Sequence, residues 1–335
     1  MTSMRQTSSH PIQARTAIVT GIDGQDGSYL AEHLLAHGYA VVGIGRRPCA
    51  APAIPRMQRF QADLNDPATL EALLREHRPV ELYNLAARSS GAGMFDDAVQ
   101  IGEINGLAVA KLLETIRSVD PNIRFCQASS SELFGDAHSA PQSERTEFRP
   151  RSPYGAAKLY AHTMLRIYRE RYGLFACSAI LFNHESPRRR LEFVTRKVTH
   201  AAAAIKLGRA AELQVGNLEA RRDWGFAGDY MRAMWLMLQH PFAQDYVIAT
   251  GKSHSVRELC DIAFGHVGLD YREFVRESPV HARVPETITL IGDPAKARDE
   301  LHWSPRVDFR QLVTAMVDAD LNTLQQSLIE KATQP

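Results

Sequence analysis

The sequence predicts an α/β protein with a doubly wound parallel sheet and a smaller α/β lobe toward its C-terminus. Short apolar runs alternate with helical patterns from Thr16 to Phe182, and the loops between them are short. A glycine-rich turn joins the first run to the first helix, and the regular alternation ends beyond Asn183. Because strands that alternate with helices pair in parallel, we expect ligands at the carboxyl ends of the strands.

The same pattern divides the chain. We interpret residues 1–14 as a disordered tail, because they are polar and carry no periodic apolar pattern. Residues 15–182 together with 226–250 form the predicted sheet domain, and 183–225 together with 251–335 form the smaller lobe. The predicted elements of the sheet domain are Thr16–Thr20, Ser28–His37, Ala40–Ile44, Phe60–Leu64, Pro67–His77, Glu81–Ala87, 96–118, a strand opening at Phe125, a helix after Pro153 to about Tyr172, and Phe175–Phe182.

Composition excludes several classes of protein. The 335 residues carry 39 basic and 38 acidic side chains, so no basic surface argues for nucleic acid or an anionic membrane. Met1–Arg15 lacks the apolar core of a secretory signal, and no apolar run is long enough to span a membrane. Cys126 and Cys177 lie in apolar strand patterns, which indicates reduced core thiols. We therefore predict a cytoplasmic protein without a metal site.

The first turn carries the pattern of a cofactor site. Gly21, Gly24 and Gly27 are spaced G-x-x-G-x-x-G between the first strand and the first helix, with Gln25 and Asp26 among them. Glycines permit a tight turn and close approach of the backbone, and a helix N-terminus offers amide hydrogens to a pyrophosphate. The sequence therefore predicts a Rossmann-type dinucleotide-binding domain.

The next two strand ends indicate which dinucleotide binds. The second strand ends at Gly45 and is followed by Arg46 and Arg47, where an acidic residue would favour the ribose diol of NAD. Two guanidinium groups suit the additional 2′-phosphate of NADP instead. Asp63, at the end of the third strand, is placed to accept a hydrogen bond from the adenine amino group. We predict NADP as the cofactor.

A second constellation follows the strand that opens at Phe125. Ser130 and Glu132 lie in a small polar cluster, and Tyr154 and Lys158 follow at i and i+4 on one helix face. An ammonium beside a phenol favours the phenolate, which would turn a group with a pKa of about 10 into a usable base. A carboxylate near that pair is suited to a ketone-assisted elimination.

Longer strings connect these motifs to a known family. They are Gly24-Gln25-Asp26-Gly27-Ser28-Tyr29-Leu30, Asn84-Leu85-Ala86-Ala87, Pro150-Arg151-Ser152-Pro153-Tyr154-Gly155-Ala156-Ala157-Lys158, Leu181-Phe182-Asn183-His184-Glu185-Ser186-Pro187-Arg188-Arg189 and Arg222-Asp223-Trp224-Gly225. Together they resemble the GDP-mannose 4,6-dehydratase family of the extended short-chain dehydrogenase/reductase superfamily. The resemblance extends from about Thr16 to Asp320.

The resemblance implies an internal redox reaction that yields a 4-keto-6-deoxy sugar nucleotide. Tyr154, assisted by Lys158, would remove the C4 hydroxyl proton while hydride leaves C4. Glu132 would then remove the C5 proton and assist loss of water from C6, and hydride would return to C6. Ser130 stands where the family has threonine and would bond O4.

The resemblance also implies two sets of binding residues. Those expected to contact the cofactor are Gly21, Gly24, Gln25, Asp26, Gly27, Arg46, Arg47, Asp63, Leu64, Leu85, Ala86, Ala87, Ser89, Tyr154, Lys158, His184 and Arg189. Those expected to contact the GDP-sugar are Ser90, Asn183, Val194, Lys197, Gly216, Arg222, Arg283 and Glu286. Lys197, Arg222 and Arg283 would neutralise the diphosphate.

Departures from the family pattern leave alternatives open. The loop after Arg47 is short, which puts a tetramer in doubt, while helices 96–118 and 154–172 would still form a homodimer contact. The segment Ser89–Gly93 lacks the bulkier residues of the family, so a GDP-manno-heptose is an alternative substrate. An NADPH-dependent GDP-4-keto-6-deoxy-sugar reductase or epimerase, and a non-catalytic nucleotide-sugar binder, are the other hypotheses. Glu132 argues against both.

Overall fold

The computed structural model describes residues 15–46, 54–88, 95, 97–278 and 289–333. Its strands are β1 (Thr16–Thr20), β2 (Ala40–Gly45), β3 (Met57–Gln61), β4 (Glu81–Asn84), β5 (Arg124–Ala128), β6 (Ala176–Leu181), β7 (Asn183–Glu185), β8 (Leu213–Val215), β9 (Arg221–Arg222), β10 (Trp224–Phe226), β11 (Tyr246–Ile248), β12 (His254–Ser255) and β13 (Val275–Glu277). Its α-helices are α1 (Gln25–Ala36), α2 (Pro67–His77), α3 (Ala98–Gly102), α4 (Ala108–Val119), α5 (Pro153–Tyr172), α6 (Val194–Lys206), α7 (Ala227–Gln239), α8 (Val256–His266), α9 (Tyr271–Phe274), α10 (Ala295–Leu301) and α11 (Phe309–Thr333).

The central sheet has seven strands in the order β11-β6-β5-β4-β1-β2-β3, and every neighbouring pair is parallel. The chain moves outward from β1 to β3 and then returns to β4 on the other side of β1. The gap between the carboxyl ends of β1 and β4 is therefore the topological switch point where such sheets bind ligands. The predicted doubly wound α/β fold is confirmed.

Two apolar cores lie on opposite faces of this sheet. Along β1, Ala17 and Val19 face one core and Ile18 faces the other, as the two-residue period of a strand requires. Helices α1, α7 and α10 cover the first face, and α2, α4 and α5 cover the second. Because both faces are buried, the strands read as continuous apolar runs in the sequence.

Some predicted boundaries differ from the observed ones. The third strand was expected at Phe60–Leu64, but β3 is Met57–Gln61, because its register with β2 runs from Val41↔Met57 to Gly45↔Gln61. Asp63 and Leu64 therefore follow the strand instead of ending it. The predicted helix 96–118 contains a π-helical turn, Glu103–Leu107, between α3 and α4. The first helix begins at Gln25, three residues earlier than predicted.

The remaining elements form a smaller core. The short pairs β10–β7, β12–β9 and β13–β8 lie with α6, α8, α9 and α11 around a third apolar cluster that includes Val198, Leu259 and Phe264. The predicted division assigned all of 251–335 to the smaller lobe. Within that range Ala297 and Trp303 pack in the first core of the sheet domain instead, so α10 belongs with the sheet. The division of the chain otherwise stays a prediction.

The buried thiols agree with the sequence interpretation. Cys126, Cys177 and Cys260 are free and buried, and burial raises the pKa of the Cys177 and Cys260 thiols to about 12. Cys49 lies outside the described residues. In the part of the chain that the structure describes, no helix has both the length and the apolar character to cross a membrane.

Candidate active site

The glycine turn forms a close-packed cradle at the start of α1. Gly21 has a φ of +69°, and a Cβ atom on it would lie 2.8 Å from the Ala86 nitrogen. A Cβ atom on Gly27 would lie 2.4 Å from the Gly21 carbonyl oxygen. Gly24 precedes the helix in an extended conformation, and no side chain caps the first turn. The cradle therefore fits a dinucleotide, whose pyrophosphate would take the amide hydrogens at this helix end.

A chain of buried polar side chains crosses the sheet beside this cradle. The Thr20 hydroxyl donates to the Asn84 amide oxygen, and the Asn84 amide donates to Gln127 at 2.7 Å. The Thr20 hydroxyl also accepts the Ala86 N–H at 3.2 Å. These contacts hold the ends of β1, β4 and β5 in register where the predicted cofactor residues Leu85–Ala87 begin. Thr20 and Gln127 were missed by the sequence analysis, because nothing local marks them as partners.

Asn105, in the π-helical turn, holds the backbone of Arg88, which follows β4. The Asn105 side chain accepts the N–H of Arg88 and donates to the Arg88 carbonyl oxygen, both at 3.0 Å. Asn105 is buried, and the Arg88 guanidinium pairs with Asp97 at 2.7 Å and with Gln100. The clamp fixes the end of the segment that follows β4. Sequence reasoning carried no signal for it.

The four predicted catalytic residues converge at the carboxyl end of β5. Ser130 caps a short 3₁₀ turn and accepts the N–H of Glu132 at 3.2 Å, which orients that turn. Ser152 caps α5 by accepting the Gly155 N–H at 3.1 Å, and Pro153 opens the helix. The Lys158 ammonium donates to the Ala128 carbonyl oxygen at 2.8 Å and lies 5.7 Å from the centroid of the Tyr154 ring.

Electrostatics at this site differ from the sequence expectation. Burial raises the pKa of Tyr154 to about 12; its hydrogen bond with Ser130 and the charge of Arg189 act in the opposite direction, and Glu132 adds to the increase. Burial also lowers the pKa of Lys158 to about 8, against the attraction of Asp26. Without ligands, burial therefore outweighs the groups that act to lower the pKa of Tyr154, and the role of Lys158 in favouring the phenolate stays a prediction.

Three predicted cofactor residues bond to one another. The His184 Nε2 atom lies 3.0 Å from the Asp26 carboxylate, and its Nδ1 atom lies 2.7 Å from the Phe182 carbonyl oxygen. Gln25 donates to the His184 carbonyl oxygen at 3.0 Å and accepts the Ser186 hydroxyl at 2.7 Å. Both ring nitrogens of His184 face acceptors, so both must donate and the imidazole is protonated. This network joins the glycine turn to β7.

The charges of that pair follow from the geometry. Burial acts to raise the pKa of Asp26, but the charge and hydrogen bond of His184 bring it down to about 2. Burial acts to lower the pKa of His184, and Asp26 outweighs it, so this pKa is raised. Arg189 lies beyond the pair, with its Nε atom 3.0 Å from the buried Glu185 carboxylate and its guanidinium stacked 3.5 Å from the Phe193 ring centroid.

The remaining predicted site residues divide into two groups. Arg46 is exposed at the end of β2, and Asp63 is exposed while Leu64 is buried after β3. Half-buried positions are found for five substrate candidates, namely Asn183, Val194, Lys197, Gly216 and Arg222. Arg47, Ser89, Ser90, Arg283 and Glu286 lie outside the described residues. No group of three or more metal-ligating side chains comes together within the ranges that the structure describes.

Comparison with known proteins identifies the family. The family model for GDP-mannose 4,6 dehydratase matches residues 18–316. The chain belongs to this family. It is 46% identical over 327 residues to GDP-mannose 4,6 dehydratase 1 of Arabidopsis thaliana, with 92% of this chain and 90% of that protein covered. It is 42% identical over 342 residues to the Homo sapiens GDP-mannose 4,6 dehydratase, with 92% of each covered.

A solved structure shares the fold at lower identity. The dTDP-glucose 4,6-dehydratase of Bacillus anthracis in complex with NAD superposes with a TM-score of 0.82 at 18% identity, over 93% of this chain and 98% of that chain. This likeness shows that the two chains share the fold. The recognition drawn from the motifs is confirmed.

Proposed function

We propose that this protein is a hydro-lyase that converts GDP-D-mannose to GDP-4-keto-6-deoxy-D-mannose with bound NADP. The observation that carries the proposal is the convergence of Glu132 with Ser130, Tyr154 and Lys158 at the carboxyl end of β5. A carboxylate at this position serves an elimination, whereas a simple reductase or epimerase has no use for it. The family relationship supports the same substrate class.

Ser130, Tyr154 and Glu132 have separate roles in this proposal. Ser130 bonds the substrate O4 atom, and Tyr154 accepts the proton of the C4 hydroxyl as hydride leaves C4. Glu132 accepts the C5 proton that the new ketone acidifies, and it delivers a proton to the C6 hydroxyl, which leaves as water. A bound nicotinamide supplies the means to hold the hydride until it returns to C6. The proton that Tyr154 accepted passes to C5 as hydride reaches C6, so one water is lost and the cofactor is unchanged overall.

The buried ammonium of Lys158 acts on Tyr154. Its position near the ring supplies a positive charge, and its bond to the Ala128 carbonyl oxygen fixes that charge in place. Because the pKa of Tyr154 is about 12 without ligands, additional positive charge is needed before the phenol ionises near neutrality to the phenolate that accepts the proton. An oxidised nicotinamide is cationic and would provide it.

A preference for NADP rests on the surroundings of Arg46. Its carbonyl oxygen accepts the Gln61 side-chain amide at 3.2 Å, which fixes the residue at the end of β2. Asp23, the acidic group of the glycine turn, pairs with Arg59 on β3. The carboxylate nearest this strand end is therefore already neutralised, and a 2′-phosphate at Arg46 would meet net positive charge.

The binding residues complete the proposal. We assign Asn183, Val194, Lys197, Gly216 and Arg222 to the GDP-sugar, with Arg222 and Lys197 neutralising the diphosphate. The alternative heptose substrate rests on a sequence segment outside the described residues. GDP-mannose is therefore the substrate that we propose.

We also propose a homodimer in the cytoplasm. Five large apolar side chains are exposed on the π-helical turn and on α3 and α5, with exposed fractions of 72% for Val99, 49% for Leu107, 47% for Tyr172, 42% for Tyr160 and 42% for Ile167. Paired with a second copy, these helices would bury that surface. Light scattering of the purified protein tests the mass, and Ile167→Glu is expected to give monomers.

One assay tests the reaction. The purified protein is incubated with GDP-mannose and NADP, and the nucleotide sugar is followed by mass spectrometry. We expect loss of one water without net consumption of cofactor. Stoichiometric oxidation of NADPH with a keto-sugar would indicate a reductase instead, and binding without turnover would indicate a non-catalytic protein. A preference above about tenfold for GDP-manno-heptose in kcat/KM would support the heptose.

A further inference from the structure

Asp223 is a fully buried carboxylate on which two separate segments of the chain converge. Its Oδ1 atom accepts the Thr250 N–H at 2.9 Å and the Thr250 hydroxyl at 2.6 Å. Its Oδ2 atom accepts the N–H groups of Gly251 at 3.0 Å and Gly292 at 3.3 Å. The side chain is 0% exposed. Four donors occupy both oxygens, so the group is an acceptor on every side and is held as the anion.

The position of Asp223 in the chain gives these bonds their significance. Arg222, immediately before it, is in β9 and pairs with His254 of β12 in the smaller lobe. Trp224, immediately after it, is in β10 and pairs with Asn183 of β7, which continues from the central sheet. Asp223 is therefore the single residue between a strand of one lobe and a strand that borders the other.

The partners of Asp223 lie beside the edge of the central sheet. Thr250 and Gly251 follow β11, the edge strand of the central sheet, and Gly292 is packed against Ala249 and Phe182 so closely that a Cβ atom would lie 2.3 Å from the Ala249 Cβ. These atoms have little room to move. The carboxylate consequently holds the end of β9 at a fixed distance from the central sheet.

We propose that Asp223 is a positioning residue that fixes Arg222 against the diphosphate of the nucleotide sugar. The proposal rests on the function proposed above for Arg222. Arg222 is half-buried, and its guanidinium donates to the Arg221 carbonyl oxygen at 2.6 Å, so its direction depends on the local path of the backbone. Burial raises the pKa of Asp223 above its ordinary value although its four hydrogen bonds act to lower it, so the carboxylate depends on these donors to remain ionised.

The test is a double-mutant cycle between Asp223 and Arg222. Asp223→Asn keeps the shape of the side chain but turns one acceptor oxygen into a donor amide, which faces N–H groups. We expect the KM for GDP-mannose to rise about tenfold with kcat changed less than about twofold, because the loss is in binding. In an Arg222→Ala background, Asp223→Asn should raise KM little further, because the residue through which it acts is absent.

A matched control distinguishes positioning from a general loss of stability. Asp320 is also a buried carboxylate, and it accepts the Thr199 hydroxyl at 2.9 Å and pairs with Arg196, away from the β9 segment. Asp320→Asn should lower the melting temperature and leave the KM unchanged. An equal rise of KM in both variants, or an additive rise in the Arg222→Ala background, would overturn the proposal.

A second pair of variants avoids the buried charge in case Asp223→Asn does not fold. Thr250→Val removes one donor to the carboxylate, and Thr250→Ser keeps it. We expect the KM to rise in Thr250→Val and to stay unchanged in Thr250→Ser. Equal KM values in the two variants would contradict the positioning role of Asp223. Calorimetric titration with GDP, whose diphosphate Arg222 would also contact, repeats the cycle without turnover. If the wild-type protein binds GDP but does not dehydrate GDP-mannose, the proposed reaction is refuted. The positioning role of Asp223 is then tested by the GDP affinities of the same variants.

Discussion

Gly155, in the first turn of α5, lies so close to Glu132 that a Cβ atom on the glycine would be 2.6 Å from the Glu132 carbonyl oxygen. The helix that carries Tyr154 and Lys158 is thus in direct backbone contact with the turn that carries Glu132. No side chain can enter between them. The separation of the phenol from the carboxylate is therefore set by backbone packing, which is more rigid than a contact between two side chains.

Replacement of Gly155 by alanine is expected to move α5 away from the Glu132 turn. We expect kcat to fall about tenfold to a hundredfold, because a small displacement of catalytic groups is costly, and the free energy of unfolding to fall by about 1–3 kcal/mol. Gly265→Ala is the control, since Gly265 lies in the last turn of α8 with open space around its Cβ position; this change should be neutral or stabilising by up to about 1 kcal/mol. Full activity in Gly155→Ala would show that the contact does not set the geometry.

Glu132→Gln and Tyr154→Phe are expected to stop the reaction at different steps. Without the carboxylate, the C4 hydroxyl can still lose its proton and C4 its hydride, so reduced cofactor should accumulate in a single turnover. Without the phenol, no base accepts the C4 hydroxyl proton, so no reduced cofactor should form. Absorbance at the reduced nicotinamide band, followed in a stopped-flow instrument, separates the two cases. Failure of both variants before any hydride leaves C4 would remove Glu132 from the proposed role.

The Asp26–His184 pair is expected to make stability depend on pH from both sides. His184 has a raised pKa, so its contribution is complete below its ordinary value of about 6.5 and is lost as the pH rises through the folded value. Asp26 has a pKa lowered from 3.8 to about 2, so its contribution of about 2 kcal/mol is present above pH 3.8 and is lost as the pH falls toward 2.

Urea unfolding between pH 5 and pH 9 tests this pair. The free energy of unfolding of the wild type should decline above about pH 6.5, and His184→Gln should remove that part of the decline. His266→Gln is the control, because His266 pairs with Asp318 at 2.7 Å on the exposed surface, where ion pairs contribute little. Identical pH profiles for wild type and His184→Gln would contradict a protonated His184.

Arg46→Ala is expected to weaken NADP binding and leave NAD binding nearly unchanged. A charge-assisted bond to a phosphate contributes about 1.5–3 kcal/mol, so the preference for NADP should fall about tenfold or more. Arg75→Ala is a suitable control, because Arg75 pairs with Glu71 on the exposed face of α2. Fluorescence titration of the apoprotein with each dinucleotide provides the measurement. Equal affinity of the wild type for both dinucleotides would show that Arg46 does not select the cofactor.

Features determined by neighbouring residues were predicted well. The strand Thr16–Thr20 was predicted with its observed bounds, and the Tyr154–Lys158 helix was anticipated because the composition becomes helical after Pro153. The glycine turn was recognised for the same reason, because the positive φ and close packing at Gly21 require a glycine at that position itself.

Features determined by residues distant in sequence were not predicted. The bounds of β3 depend on its register with β2, and the direction of the Tyr154 pKa depends on burial that the i, i+4 spacing does not report. The four donors of Asp223 come from positions up to 69 residues away. Long-range packing decides such features, and one sequence does not encode it in a pattern that can be read locally.

The π-helical turn at Glu103–Leu107 makes this part of the chain intolerant of a change in length. Such a turn contains one residue more than an α-helical turn, and deletion of a single residue would restore a regular helix. Side chains before the deletion would then rotate by about 100° relative to α4. Asn105 could then no longer face the backbone of Arg88. Gly106 could no longer lie beside Tyr160, whose ring is so close that a Cβ atom added to the glycine would be 3.3 Å from it. Point substitutions around this turn should thus be tolerated far better than insertions or deletions.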